Sequence, residues 1–173
     1  HLVFTGVMDY FPNIDGCEWF AREILPEVQR HIPNAHFSIV GSAPTDGVKA
    51  LGKLPGVEVT GFVDETRDWL ARAAVAIAPL RIARGIQNKV LEAMAMGLPV
   101  VGTTHATQGV DGDHGRDYMV ADTKAAQVAE VVRLLRDRDE ALELGKRARS
   151  FVEKKYRWED VLEPLGELIS EIE

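Results

Sequence analysis

The sequence predicts an α/β protein with a doubly wound, Rossmann-like sheet of six parallel strands, helices on both faces and extra C-terminal helices. Three observations favour this fold. Short apolar runs alternate with segments of helical periodicity along the chain. Several of the runs carry almost no polar residue, as expected of strands that helices cover on both sides. The repeated strand–helix alternation is typical of crossover connections, which build a parallel sheet.

Six apolar runs are predicted as strands. They are Leu2–Gly6, His36–Gly41, Val57–Gly61, Val75–Pro79, Pro99–Thr103 and Asp117–Ala121. Seven segments have helical periodicity, and several begin with an aspartate that we expect to act as an N-cap. They are Asp15–Ile32, Asp46–Leu51, Asp64–Ala74, Ile86–Met96, Thr123–Arg136, Arg138–Tyr156 and Trp158–Ile172. In such a sheet, ligands bind beyond the carboxyl ends of the strands, where the strand order reverses.

Length and composition fit one soluble globular domain of 173 residues, with 46% hydrophobic and 27% charged residues. The net charge of −7 argues against a general nucleic-acid binder and against binding to anionic membranes. No run is long enough for a transmembrane helix, and because residues 1–10 have no basic n-region we expect no signal peptide. A single cysteine, Cys17, leaves no internal disulfide and no cysteine-based metal site. These features favour a cytoplasmic protein.

The segment 79–101 is the most informative part of the chain. It reads as a strand end, a basic loop with a glycine, an amphipathic helix and another buried strand. The N-terminus of that helix has backbone N–H groups without partners and favours an anion. Arg81, Arg84 and Lys89 add three positive charges around it. A local basic cluster on an acidic chain indicates a phosphate-bearing ligand.

Lys89 and Glu92 are neighbours on one face of the same predicted helix. A lysine can meet a phosphate as a point charge, and a carboxylate can accept hydrogen bonds from two sugar hydroxyls. A solvated Lys–Glu pair without a ligand has the same spacing, so the spacing alone leaves both interpretations open.

Several other site classes are disfavoured. The dinucleotide fingerprint Gly-x-Gly-x-x-Gly and the P-loop motif are absent, which disfavours NAD enzymes and P-loop NTPases. The loop after the first strand can still approach a ligand, and Asn13 or Asp15 also fits the N-cap of the next helix. His105 and His114 share a polar loop with two aspartates, where a solvated loop is favoured over a cation site. We expect no metal and single out no catalytic residue.

Taken together, these ordered pieces resemble the C-terminal domain of group 1 glycosyltransferases with the GT-B fold. The resemblance rests on Phe4-Thr-Gly6, Phe37–Gly41, Val57–Val63, Val75–Pro79 followed by Leu91–Val101, and Tyr156-Arg-Trp158. The run Met8–Asp15 is also similar to the corresponding run of bacterial exopolysaccharide-type sugar transferases.

The resemblance implies that residues 1–173 are one donor-binding domain, the C-terminal half of a longer two-domain enzyme and inactive alone. Its ligand would be a nucleoside-diphosphate sugar, and a missing N-terminal domain would hold a saccharide or lipid-linked acceptor. The implied reaction is glycosyl transfer with retention, without a metal, in polysaccharide or glycoconjugate synthesis. The implied location is the cytoplasm, and peripheral association with the inner face of the membrane is compatible with it in the full-length protein.

The resemblance also implies roles for individual residues. Arg84, Lys89 and Arg81 would hold the diphosphate together with the backbone N–H groups of Gly85 and Ile86. Glu92 would accept the ribose hydroxyls. The residues expected beside the base are Phe62 and Val63, and the first-loop contacts are Gly6 and Asn13.

The sequence departs from the family pattern at two places. Members often carry two glutamates eight positions apart, and Arg84 stands where the first of them is expected. The loop Gly6–Asp15 also lacks the arginine and lysine that many members place there. Two alternatives stay open: a nucleotide-sugar epimerase of the same architecture, and a stand-alone nucleotide-binding regulatory module.

Overall fold

The computed structural model describes residues 1–156 and contains a six-stranded, all-parallel sheet with helices on both faces. The strands are β1 (Leu2–Thr5), β2 (Phe37–Val40), β3 (Val57–Gly61), β4 (Val75–Ala78), β5 (Val100–Gly102) and β6 (Met119–Val120). The helices are α1 (Phe11–Trp19), α2 (Leu25–His31), α3 (Asp46–Leu51), α4 (Arg67–Arg72), α5 (Asn88–Ala95), α6 (Thr104–Thr107), α7 (Lys124–Arg136) and α8 (Arg138–Lys155). The predicted doubly wound α/β fold is confirmed.

The strand order is β3-β2-β1-β4-β5-β6. Leu2 of β1 pairs with Phe37 of β2 on one side and with Val75 of β4 on the other. The chain therefore builds outward from β1 to β3 and then returns to start the second half at β4. The order reverses between β1 and β4, and this is where a sheet of this type forms its ligand crevice.

Strands β1, β2, β4 and β5 are buried along their whole length because helices cover both faces of the sheet. Helix α2 packs against α7, and α5 packs against α8. The rings of Phe20 and Phe37 meet at a centroid distance of 4.7 Å and connect the first helical segment to the centre of the sheet. The result is a continuous apolar core within residues 1–156.

The first helical segment differs from its prediction in two respects. It begins at Phe11, with Tyr10 as N-cap, so the expected N-cap at Asn13 or Asp15 is wrong. Pro12 accounts for the earlier start, because its fixed φ and missing N–H suit the first helical turn. The segment also contains one π-helical turn, residues 20–24, just before Pro26. Proline cannot donate the regular helical hydrogen bond, and the wider turn accommodates that gap.

Other boundaries shift by a few residues. Helix α4 begins three residues later than predicted and α5 two residues later. Residues 104–107, which were expected to be loop, form the short helix α6, whose N-cap Thr103 accepts a hydrogen bond from the Ala106 N–H. The predictions for α7 and α8 are confirmed. The predicted helix Trp158–Ile172 lies outside the described residues. Among the described helices, none has the length and apolarity needed to cross a bilayer.

Candidate functional site

A cleft of about 600 Å³ opens beyond the carboxyl ends of β1 and β2. The loops after β1, β2 and β3 and the first turns of α1 and α5 form its walls. The residues that line it are Thr5, Gly6, Val7, Tyr10, Asn13, Val40, Gly41, Ser42, Phe62, Val63, Thr66, Ile86, Gln87, Asn88, Lys89 and Glu92. Its position beside the point of strand-order reversal is the one expected from the topology.

Two glycines let the backbone come unusually close at the floor of the cleft. Gly41 has a φ of +146°, and a Cβ there would lie 1.8 Å from the carbonyl oxygen of Gly6. A Cβ on Gly6 would lie 2.8 Å from Nδ2 of Asn13. The floor of the cleft is therefore formed by backbone atoms without side chains. Gly6, a predicted first-loop contact, lies among the lining residues.

Lys89 extends from the first turn of α5 into the cleft. Its Nζ donates a hydrogen bond to Oδ1 of Asn13 at 3.0 Å and lies 5.2 Å from the ring centroid of Phe4. No carboxylate within residues 1–156 forms an ion pair with it. Burial lowers the pKa of the Lys89 ammonium below its ordinary value, and the charge of Glu92 opposes that shift. A partly desolvated cation with neutral partners is a site that an anionic ligand would stabilise.

Asn13 is almost fully buried, with 3% of its surface exposed. Its Nδ2 donates to the Val7 carbonyl at 2.8 Å, and its Oδ1 accepts from Lys89. An amide has one donor end and one acceptor end, so the bond to Val7 fixes which end faces the lysine. The structure therefore places Asn13 between the first loop and α5.

The N-termini of α1 and α5 both reach the cleft without side-chain caps. Neither Tyr10 nor Gln87, the two N-cap residues, makes a side-chain cap hydrogen bond, and neither helix has an acidic residue in its first turn. Four helices elsewhere are capped by Thr45, Thr103, Thr123 and Asp137. At the cleft, the positive ends of two helix dipoles remain unbalanced, and Lys89 adds to them.

The other two predicted cations lie outside the cleft walls. Arg81 forms two hydrogen bonds with the Asp15 carboxylate, the longer one from Nε to Oδ2 at 2.9 Å, and lies 5.5 Å from the Trp19 ring. Arg84 is exposed, and its carbonyl oxygen accepts a hydrogen bond from Nε2 of Gln87. Of the three cations expected around one point, the structure brings only Lys89 to the cleft.

The loop before α5 is held by the segment that follows α6. A Cβ on Gly109 would lie 2.4 Å from the carbonyl oxygen of Gly85 and 2.6 Å from the nitrogen of Ile86. Nε2 of Gln108 also donates to the Ala83 carbonyl at 2.9 Å. Ile86 lines the cleft, whereas Gly85, with a φ of +68°, lies just behind the walls. Sequence reasoning assigned no role to Gly109 because its contact partners are more than twenty residues away.

The remaining predicted residues line the cleft. Glu92 is exposed on the second turn of α5, and Phe62 and Val63 follow β3 on the far wall. Phe62 keeps 75% of its surface exposed, so its ring is free to stack. Sequence reasoning missed Ser42 and Thr66 as lining residues, although their positions just after β2 and β3 were a usable signal.

The described part of the chain contains no group of three His, Cys, Asp or Glu side chains placed to hold a metal ion.

A family profile described as glycosyl transferases group 1 matches residues 1–137 of this chain. The chain belongs to the group 1 glycosyl transferases. A curated member of similar sequence is a GDP-mannose-dependent α-(1-6)-phosphatidylinositol monomannoside mannosyltransferase of Mycobacterium tuberculosis. It is 29% identical over 84% of this chain and 42% of the relative. An uncharacterised protein in the cps region of Klebsiella pneumoniae is 21% identical over 90% of the chain and 42% of that protein.

Solved structures of other proteins share the fold. TarM of S. aureus, crystallised with UDP among other ligands, superposes with a TM-score of 0.77 at 18% identity, over 96% of this chain and 34% of that one. Alr3699/HepE of Anabaena, in complex with UDP-glucose, gives a TM-score of 0.77 at 14% identity, over 98% and 48% of the two chains. At these identities, the likeness shows the fold alone. This group 1 chain spans less than half the length of these relatives.

Proposed function

We propose that this chain is the donor-binding domain of a glycosyltransferase and that its cleft binds a nucleoside-diphosphate sugar. One observation carries the proposal: Lys89 is half-buried beside two uncapped helix N-termini, and its hydrogen bond and its ring contact among the described residues are both to neutral groups. A diphosphate supplies the negative charge that this arrangement lacks. The relatives supply support of another kind, since one of them is named GDP-mannose-dependent and another was crystallised with UDP-glucose.

In this proposal, the donor lies across the carboxyl ends of β1 and β2. The diphosphate meets Lys89 and the backbone N–H groups at the start of α5, including that of Ile86. Glu92, one turn further along α5, accepts hydrogen bonds from the ribose hydroxyls. The base lies against Phe62 and Val63 on the opposite wall of the cleft. Arg81 and Arg84 make no contact with the donor because both lie outside the walls. Arg84 contributes long-range positive potential, whereas Arg81 contributes little because Asp15 pairs with it.

We further propose that residues 1–173 form the C-terminal half of a two-domain enzyme whose other domain holds the acceptor. The chain covers 42% of the mycobacterial relative, which leaves room there for a second domain of similar size. The Klebsiella relative encoded in a cps region supports a saccharide or lipid-linked acceptor in polysaccharide synthesis. A single domain leaves the cleft open on one side, so we expect it to bind nucleotide without transferring sugar.

The chemistry proposed for the site is stabilisation of the leaving nucleoside diphosphate. Negative charge develops on the diphosphate as the bond to the sugar breaks. A fixed ammonium and the positive end of α5 stabilise that charge without moving, which is the requirement for electrostatic catalysis. This route uses no metal. Nucleotide affinity is therefore expected to be unchanged by EDTA and by added Mg²⁺.

Calorimetric titration of the purified chain with UDP, GDP and ADP tests the proposal directly. We expect one of the three to bind and Lys89→Ala to weaken its binding about tenfold or more, the usual effect of losing a hydrogen bond to a charged group. Lys146→Ala is the matched control, because Lys146 is exposed on α8 and pairs with Glu143. Absence of binding by every nucleotide, or equal loss in both lysine variants, would contradict the proposal.

A further inference from the structure

We infer that Asn13 is a positioning residue that holds the Lys89 ammonium at the diphosphate-binding point of the cleft, without itself contacting the diphosphate. This inference rests on the proposed function of the cleft. Sequence reasoning assigned two other roles to Asn13, as a direct first-loop contact and as a helix N-cap. The structure excludes the N-cap, since α1 begins two residues before it.

The geometry of the amide supports this role. Asn13 is fixed at its donor end by the Val7 carbonyl, 2.8 Å from Nδ2, so its acceptor end is presented to Lys89. The Lys89 Nζ reaches that acceptor at 3.0 Å, across 76 positions of sequence. The Asn13 side chain is almost fully buried and lies directly against Gly6, where a Cβ would come within 2.8 Å of Nδ2. The amide is thus a rigid anchor for the lysine.

The neutral character of the anchor matters as much as its position. A carboxylate at this place would pair with Lys89 and cancel the charge that a diphosphate needs. An amide oxygen can orient the ammonium through one of its three N–H groups and leaves the other two for a ligand. The Phe4 ring, 5.2 Å from Nζ, adds a second neutral attraction. Lys89 is therefore held in place while its charge remains available.

A double-mutant cycle separates this role from a merely structural one. The affinity for the nucleoside diphosphate that binds best is measured for the wild type, Asn13→Ala, Lys89→Ala and the double variant. We expect Asn13→Ala to weaken binding about threefold to tenfold, and to have no further effect once Lys89 is replaced, since coupled residues are not additive. Additive losses would overturn the inference and leave the proposed function intact.

Two further measurements keep the test decisive. The matching nucleoside, which has no phosphate, should bind the wild type and Asn13→Ala equally by NMR titration, whereas general damage to the cleft would weaken both ligands. Asn13→Asp should weaken diphosphate binding at least as much as Lys89→Ala does, because its carboxylate neutralises the lysine. Unchanged affinity in Asn13→Asp would overturn the inference.

Should Asn13→Ala fail to fold, as judged by thermal unfolding, Asn13→Ser replaces it in the cycle. Absence of nucleotide binding in the wild type would overturn the proposed function itself.

Discussion

The loop between β4 and α5 and the first turn of α5 are adjacent in sequence and both basic, yet Arg81 of the loop and Lys89 of the helix are in opposite states. In the loop, Arg81 pairs with the Asp15 carboxylate and lies near Trp19. In the helix, Lys89 points into the cleft and contacts an amide and an aromatic ring. This difference shows that the number of basic residues in a segment does not give the net positive charge available to a ligand. Charge is available only where the protein has not already neutralised it.

The largest effect is expected from a substitution that displaces the loop between β4 and α5 while leaving α5 in place. We expect Gly109→Ala to destabilise the protein by about 1–3 kcal/mol, because its new Cβ would overlap the backbone of Gly85 and Ile86. The same substitution should also lower nucleotide affinity if the Ile86 N–H contacts the diphosphate. Thermal unfolding and titration measure the two effects.

Gly47→Ala is the control for that substitution. Gly47 lies in α3, and a Cβ there would lie 3.4 Å from Oε1 of Glu18, its nearest neighbour. The change should leave affinity unaltered and stability equal or higher by up to about 1 kcal/mol, since alanine favours helices. A Gly109→Ala protein as stable as Gly47→Ala would show that the loop is not braced by this contact.

The charge on Lys89 can also be removed by pH. Burial lowers its pKa from the ordinary lysine value of 10.5. In the role proposed for it, Lys89 attracts a phosphate through the positive charge of its protonated form. Nucleotide affinity should therefore be full at neutral pH and fall as pH rises through the Lys89 pKa, before 10.5 is reached. Burial raises the pKa of the neighbouring Cys17 thiol, which therefore stays neutral in this range.

The nucleotide dissociation constants of the wild type and of Lys89→Ala should be measured at each pH. The ionisation of the nucleotide itself then cancels in the ratio of the two constants. The ratio should shrink from about tenfold toward one as the lysine loses its proton. A ratio that stays constant up to pH 10.5 would contradict the assigned role of the ammonium.

A smaller effect is expected from Glu92 on the same helix. Glu92→Ala should weaken binding of the ribonucleotide about threefold to tenfold, and leave binding of its 2′,3′-dideoxy analogue unchanged, because only the former has hydroxyls to donate. Titration of both ligands against both proteins gives the comparison. Equal losses for the two ligands would mean that Glu92 acts on something other than the ribose.

The smallest effect is expected from Arg81. Its side chain is 51% exposed and already paired, so Arg81→Ala should change nucleotide affinity less than about twofold and stability by about 1 kcal/mol or less. Measurement at low salt is the sensitive condition, because long-range charge is least screened there. A tenfold loss of affinity would show that Arg81 leaves Asp15 to meet the ligand, and the contrast with Lys89 would disappear.

Most of the fold was predictable because it depends on local patterns. Runs such as 75–78 and 100–102 are apolar on both faces, as expected of strands that helices cover on both sides. Helix α5 was found from its apolar face, and Gly97, with a φ of +70°, follows its end as expected. Two of the errors were at helix starts, where an aspartate in the sequence indicated a cap that the backbone did not use.

The sequence by itself determined the parallel α/β architecture, the edge of the sheet where the cleft opens, and the family. These properties follow from periodicity and from the order of short motifs, which are local. Only the tertiary structure decided which cation is available, because the partners of Arg81 and Lys89 lie 66 and 76 positions away. The sequence specifies which side chains carry a charge. Whether that charge is neutralised depends on which other side chains lie within a few ångströms of it in the folded protein.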